Sequence, residues 1–173
     1  MIGVFGSGSW ATAVAKIVLE HPDTTINWWI REPEIIEGIK ETGHNPIYLS
    51  EVYFDTKQIN FSNDISEVIK KSDDLLFVVP SAFLDDSLQG ITPEMLKGKN
   101  IHPAIKGVVL QTNQIVADYF HDKFDVDYDR ISIISGPSHA EETAQQKLTY
   151  LTVASQNNEL ANYVAEFIQC RYV

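Results

Sequence analysis

The residues Met1-Ile2-Gly3-Val4-Phe5-Gly6-Ser7-Gly8-Ser9-Trp10-Ala11 decide how the rest of this chain is read. An apolar strand runs without pause into a glycine loop, and the loop runs into a pattern of helical period. Gly6 lets the chain turn tightly off the strand, and Gly8 carries no Cβ to obstruct a pyrophosphate nearing the backbone. Ala11, third in a G-x-G-x-x-G/A spacing, is small enough for helix and strand to pack closely. A helix starting here turns its free N–H groups and the positive end of its dipole toward phosphates. Glycine spacings of this kind recur by chance in many sequences; the strand before and the helix after are what give this one meaning.

A chain of 173 residues, 44% apolar, is sized for one domain with a substantial core. No apolar run approaches the roughly 20 residues a membrane helix requires. The first strand begins at Met1, leaving no room for a signal peptide, so a cytoplasmic location without membrane insertion is expected. The formal net charge of -11 would repel a phosphate backbone from most of the surface, which argues against a nucleic-acid partner. Cys170 is the single cysteine and reads as a core or interface thiol. The histidines show no ligand spacing, and His139-Ala140-Glu141-Glu142 is not an H-E-x-x-H motif, so no metal is expected.

Apolar periodicity alternates in type along the chain. Strands are predicted at Ile2 to Phe5, Thr25 to Ile30, Ile59 to Phe61, Leu75 to Val79, Asn100 to Ile105, Ile131 to Ser135 and Tyr150 to Ala154. Between them lie helical stripes: Trp10, Val14, Ile17 and Val18; Ile35, Ile36 and Ile39 after Pro33; and Ile65, Val68 and Ile69 behind an Asp64/Glu67 capping box. A short helical segment carries Phe83, Leu84 and Leu88, and further helices are predicted from Asn113 to Phe124, from Gly136 through Gln146, and over Leu160 to Ile168. His44 to Gln58 has no sustained period and is read as a long loop. The pattern predicts an α/β chain of the Rossmann type, a doubly wound, mostly parallel sheet with helices on both faces.

Ligands in such sheets collect outside the carboxyl ends of the strands. Those ends carry Gly6-Ser7-Gly8, Arg31-Glu32, Pro80-Ser81, Lys106-Gly107 and Ser135-Gly136-Pro137-Ser138. Arg31 lies about 20 residues beyond the fingerprint, where such folds meet the adenosine ribose, and an arginine there can pair with a 2′-phosphate. The adjacent Glu32 favours the opposite choice, and a solvated strand-end arginine is an equal alternative. Lys106 can stabilise negative charge on a substrate oxygen, against the commoner fate of a lysine at the surface. Tyr119 and Lys123 have the Y-x-x-x-K spacing of short-chain dehydrogenases, but Tyr119 belongs to an apolar helical stripe and is read as core. Trp28 and Trp29 are read as sheet packing.

Taken together, these motifs resemble the N-terminal domain of the bacterial NAD(P)-dependent glycerol-3-phosphate dehydrogenases. The resemblance runs in order through Gly6 to Ala11, Trp29-Ile30-Arg31-Glu32-Pro33-Glu34, Val79-Pro80-Ser81, Lys106-Gly107, Ser135 to Ala140 and Ala154-Ser155. It implies that Ser9, Trp10, Arg31, Phe83 and Ala140 join Gly6, Gly8 and Ala11 around NAD(P)H. It also implies that Lys106 touches both cofactor and substrate as the catalytic cation, and that Gly136 and Ser138 help seat the phosphate substrate. The activity implied is interconversion of dihydroxyacetone phosphate and sn-glycerol 3-phosphate by hydride transfer, for glycerophospholipid synthesis. His139 stands where the family has phenylalanine and is read as a packing variant. The family's helical C-terminal domain, with its second lysine, is not among residues 1–173, so the expectation is a dinucleotide-binding fragment, inactive alone, with apolar surface favouring a homodimer. The alternatives are a non-catalytic dinucleotide-sensing module, or another dehydrogenase of the hydroxyacid or 6-phosphogluconate type.

Overall fold

A computed structural model describes residues 1–173. Its order is β1 (Ile2–Phe5), α1 (Ser9–Leu19), β2 (Ile26–Trp29), α2 (Pro33–Thr42), β3 (Ile59–Ser62), α3 (Ile65–Lys71), β4 (Asp74–Phe77), α4 (Ser81–Ser87), α5 (Pro93–Leu96) and β5 (Asn100–Pro103). There follow β6 (Val108–Val109), β7 (Gln114–Ile115), α6 (Val116–Phe124), β8 (Ser132–Ser135), α7 (Ala140–Ala144), β9 (Thr152–Ser155) and α8 (Asn158–Ile168). The first five strands form a parallel sheet in the order β3-β2-β1-β4-β5. An isolated parallel bridge, Ile101 to Ile131, brings β8 alongside β5, and β9 pairs with β8 antiparallel. The reversal of strand order between β1 and β4 opens a crevice above β1.

Both faces of the sheet are covered, which is why β1, β2 and β4 are buried along their whole length. Alternate side chains point to opposite faces. Val4, Trp28 and Leu76 join a 27-residue cluster under α1, α2 and α8, while Phe5, Trp29, Leu75 and Phe77 join a 20-residue cluster under α3 and α6. Asp64 caps α3 as its sequence predicts, accepting from the Ser66 and Glu67 amides; the return bond of Glu67, however, goes to the Ser62 hydroxyl.

Several boundaries differ from the sequence expectation, each for a reason of tertiary pairing. The helix expected from Asn113 begins at Val116, because Gln114 and Ile115 pair with Val109 and Val108 in a hairpin that turns through Asn113 at φ 55°. The segment after β8 becomes helical only at Ala140 and ends at Ala144, since Gly136 is held at φ 145° where a Cβ would strike the Tyr150 carbonyl. The last strand is antiparallel, and α5 has too short an apolar repeat to be read from sequence. His44 to Gln58 is irregular as expected, closed by a bridge from His44 to Tyr53 and by a 3-10 turn at Thr56–Gln58.

Candidate functional site

The glycine loop is held from three directions. The Gly6 amide donates to the Trp29 carbonyl, and the Trp28 indole donates to the Gly6 carbonyl at 2.8 Å. Gly6 sits at φ 132° with the Val78 carbonyl 2.7 Å from where a Cβ would be, so the turn demands glycine on both counts. The Asn45 amide donates to the Ser7 carbonyl and to Thr12 Oγ1, while its own oxygen accepts from the Ile47 and Tyr48 amides. Asn45 is fully buried and ties the long loop to the glycine loop. A Cβ on Gly8 would meet nothing within 4 Å, and no side chain caps α1, so the first-turn amides of α1 face open space. That is room for an anionic pyrophosphate, and the residues present fit one.

Clefts open on either side of Gly8. One, of about 150 Å³, is lined by Gly6, Ser7, Trp29, Arg31, Glu32 and Phe83 among others. Here Glu32 Oε2 accepts from the Ser7 hydroxyl at 2.8 Å, and Glu32 Oε1 accepts from both Nε and Nη2 of Arg31, at 3.0 and 2.8 Å. Partial burial pushes the Glu32 carboxyl up, but the bonds from Ser7 and Arg31 outweigh it and hold it below its ordinary range. Phe83 stands 54% exposed at the cleft wall.

The other cleft, of about 450 Å³, is lined by Ser9, Trp10, Ala11, Lys106, Ser138 and Ala140 among others. The Trp10 indole donates to the Ala104 carbonyl, which anchors it at the end of β5, and Lys106 Nζ lies 5.8 Å from its ring. Lys106 Nζ donates to the Ser138 carbonyl at 2.8 Å, bridging the loops after β5 and before α7. Gly136 does not line this cleft; it turns the chain behind Ser138, whose hydroxyl donates to the Gly136 carbonyl at 3.5 Å. His139, expected to pack, is instead exposed on the cleft wall.

Sequence reasoning missed Asn45 and the second role of Trp28, since each acts through a carbonyl distant in the chain. The His44-Asn45-Pro46 start of an aperiodic loop is the only local signal for Asn45. Tyr119 is buried as expected and donates to Asp85, which Lys123 also meets, so this trio ties α6 to α4. A serine, histidine and aspartate do meet elsewhere: His102 bonds Ser132 at 2.7 Å and Asp74 at 3.1 Å. All three are buried, Asp74 and Ser132 at the amino ends of their strands and His102 within β5, none of them lines either cleft, and Asn100 and Tyr163 complete the Asp74 shell.

A parallel sheet in this order, with an uncapped helix and a glycine loop at its switch point, defines a dinucleotide-binding domain. Residues 1–161 match the family model described as the NAD-dependent glycerol-3-phosphate dehydrogenase N-terminus, and the chain belongs to that family. It is 33% identical over 165 residues to a glycerol-3-phosphate dehydrogenase [NAD(P)+] of Moorella thermoacetica, covering 95% of this chain and 48% of that protein. Among solved structures it resembles the glycerol-3-phosphate dehydrogenase of Plasmodium falciparum, with a TM-score of 0.86, 24% identity, and coverage of 99% and 50%. That of Coxiella burnetii has a TM-score of 0.84 and 22% identity, with coverage of 99% and 51%. The chain spans about half the length of the curated relatives it matches. No helix is long and apolar enough to cross a membrane.

Proposed function

We propose that this chain is the cofactor-binding half of a cytoplasmic oxidoreductase that interconverts dihydroxyacetone phosphate and sn-glycerol 3-phosphate with NAD(P)H. The observation that carries this reading is the pair of clefts meeting at Gly8, one reaching Glu32 just beyond β2 and the other Lys106. Gly6, Gly8, Ser9, Trp10, Ala11, Arg31, Phe83 and Ala140 would hold the dinucleotide, which supplies the hydride when bound. Trp10, fixed to Ala104, gives the second cleft a flat aromatic wall. Lys106, oriented by the Ser138 carbonyl, presents its ammonium where a ketone oxygen gains negative charge as it is reduced. Gly136 positions Ser138, and Ser138 contributes to seating the phosphate substrate. The family resemblance implies a proton-donating lysine in a helical domain, and residues 1–173 are expected to bind dinucleotide without turning substrate over.

Tryptophan emission tests the reading, because Trp10 lines the second cleft. Titration with NADH or NADPH is expected to quench it saturably, with energy transfer to the nicotinamide. Adding dihydroxyacetone phosphate to this chain is expected to leave the reduced dinucleotide unconsumed. Absence of saturable binding by either dinucleotide overturns the reading.

A further inference from the structure

We propose that this chain selects NAD(H) over NADP(H), and that the Glu32 carboxylate, braced between Ser7 and Arg31, is the selecting group. The inference rests on the dinucleotide reading above and concerns the end of the cofactor far from the chemistry. With a pyrophosphate over Gly8, the adenosine ribose falls at the end of β2. Glu32 follows β2 by three residues, and its Oε2 lies 2.8 Å from the hydroxyl of Ser7 in the glycine loop. A carboxylate so placed accepts hydrogen bonds from a ribose diol, and repels a phosphate ester on the same carbon.

Arg31 is the residue that would argue the other way. Its Nε and Nη2 both point at Glu32 Oε1, so its charge is already matched by a neighbouring anion. The cleft wall holds no other cation: Arg31 and Glu32 are its only charged residues, and together they sum to zero. A 2′-phosphate brings about -1.5 to -2 charge at neutral pH. Accommodating it would set the phosphate beside the Glu32 carboxylate, with only the exposed Nη1 edge of Arg31 left to meet it. The bonds from Ser7 and Arg31 also hold Glu32 ionised at neutral pH, so it does not escape by taking up a proton. A chain with formal charge -11 adds a general bias against the more anionic cofactor.

The test is calorimetric or fluorescence titration of the 173-residue chain with NADH and NADPH, at low salt and at 0.5 M salt. NADH is expected to bind at least about tenfold tighter, the factor that one net like-charge contact of about 1.4 kcal/mol yields. Salt is expected to narrow the gap by screening the repulsion. Glu32→Gln keeps the shape, removes the charge and frees Arg31; it is expected to tighten NADPH by roughly tenfold while weakening NADH. Arg31→Met is expected to keep the NADH preference, whereas an arginine that reads the 2′-phosphate would lose NADPH alone. NADPH binding as tightly as NADH to the unaltered chain, or an unchanged ratio in a folded Glu32→Gln protein, overturns the selection and leaves the dinucleotide reading intact. Failure of both cofactors to bind overturns that reading and this inference with it.

Discussion

Replacing Asn45 by alanine removes four hydrogen bonds from a side chain with no solvent exposure: two donated, to the Ser7 carbonyl and Thr12 Oγ1, and two accepted, from the Ile47 and Tyr48 amides. The four partners do not lose equally. Thr12 keeps its own bond to the Gly8 carbonyl, and Ile47 and Tyr48 lie in an exposed stretch of the long loop. The Ser7 carbonyl and the void left by the amide therefore carry most of the cost, about 2–3 kcal/mol. In a domain of this size that lowers Tm by roughly 4–12 °C. The functional effect is separable. Asn45 touches no cleft directly, but it fixes the Ser7 carbonyl and the start of the loop bearing Tyr48, so dinucleotide affinity is expected to fall about tenfold or more in protein that is still folded. Thermal melting followed by circular dichroism, together with NADH titration well below the lowered Tm, measures both. Thr12→Val combined with Asn45→Ala tests the pair, with an expected coupling of about 1 kcal/mol. A melting point within about 2 °C of the parent and unchanged NADH affinity would refute the idea that Asn45 braces the glycine loop.

Gly6→Ala meets the Val78 carbonyl at 2.7 Å and a φ of 132°, so a loss of about 3 kcal/mol in chemical denaturation is expected; stability equal to the parent counts against the strained turn. Burial pushes the Asp74 carboxyl up, but bonds from His102, Asn100 and Tyr163 more than offset this and hold it below its ordinary value. A depressed carboxyl stabilises the fold above its unfolded value, about 3.9, and that contribution disappears as pH falls through the lower folded value. Asp74→Asn is therefore expected to flatten acid unfolding below about pH 4, and an unaltered acid transition in the variant disproves this. Joined to the remainder of its longer relatives, Lys106→Ala is expected to lower turnover at least about a hundredfold with cofactor affinity within about threefold; equal steady-state constants would remove Lys106 from the chemistry.

The order of strands and helices is written locally, because the spacing of apolar residues sets which face of each element is buried. Val4, Trp28, Leu75 and Leu76 could be assigned to a covered sheet for that reason, and Gly6 to a tight turn. Asp64 announces the start of α3 because its cap bonds close within three residues. The β6/β7 hairpin was not legible: two-residue strands carry no period, and Val116 to Phe124 is apolar enough to absorb its second strand into a longer helix.

By itself, the sequence determined a doubly wound α/β fold, a glycine turn beneath a helix start, and the short set of residues standing at the strand ends. What each of those residues does was decided by contacts between distant segments. Lys106 is aimed by a carbonyl 32 residues away, Gly6 is gripped by an indole 22 residues away, and Ser7 is braced by an amide 38 residues away. Arg31 and Glu32 are neighbours, yet their sequence left two opposite meanings open. Only the fold brings Ser7, 25 residues earlier, against the Glu32 carboxylate, and that third partner is what the proposed cofactor selection rests on. The physical reason is one of range: apolar periodicity acts within a few turns of chain, whereas hydrogen bonds and charge pairs depend on which strand ends the completed sheet sets side by side.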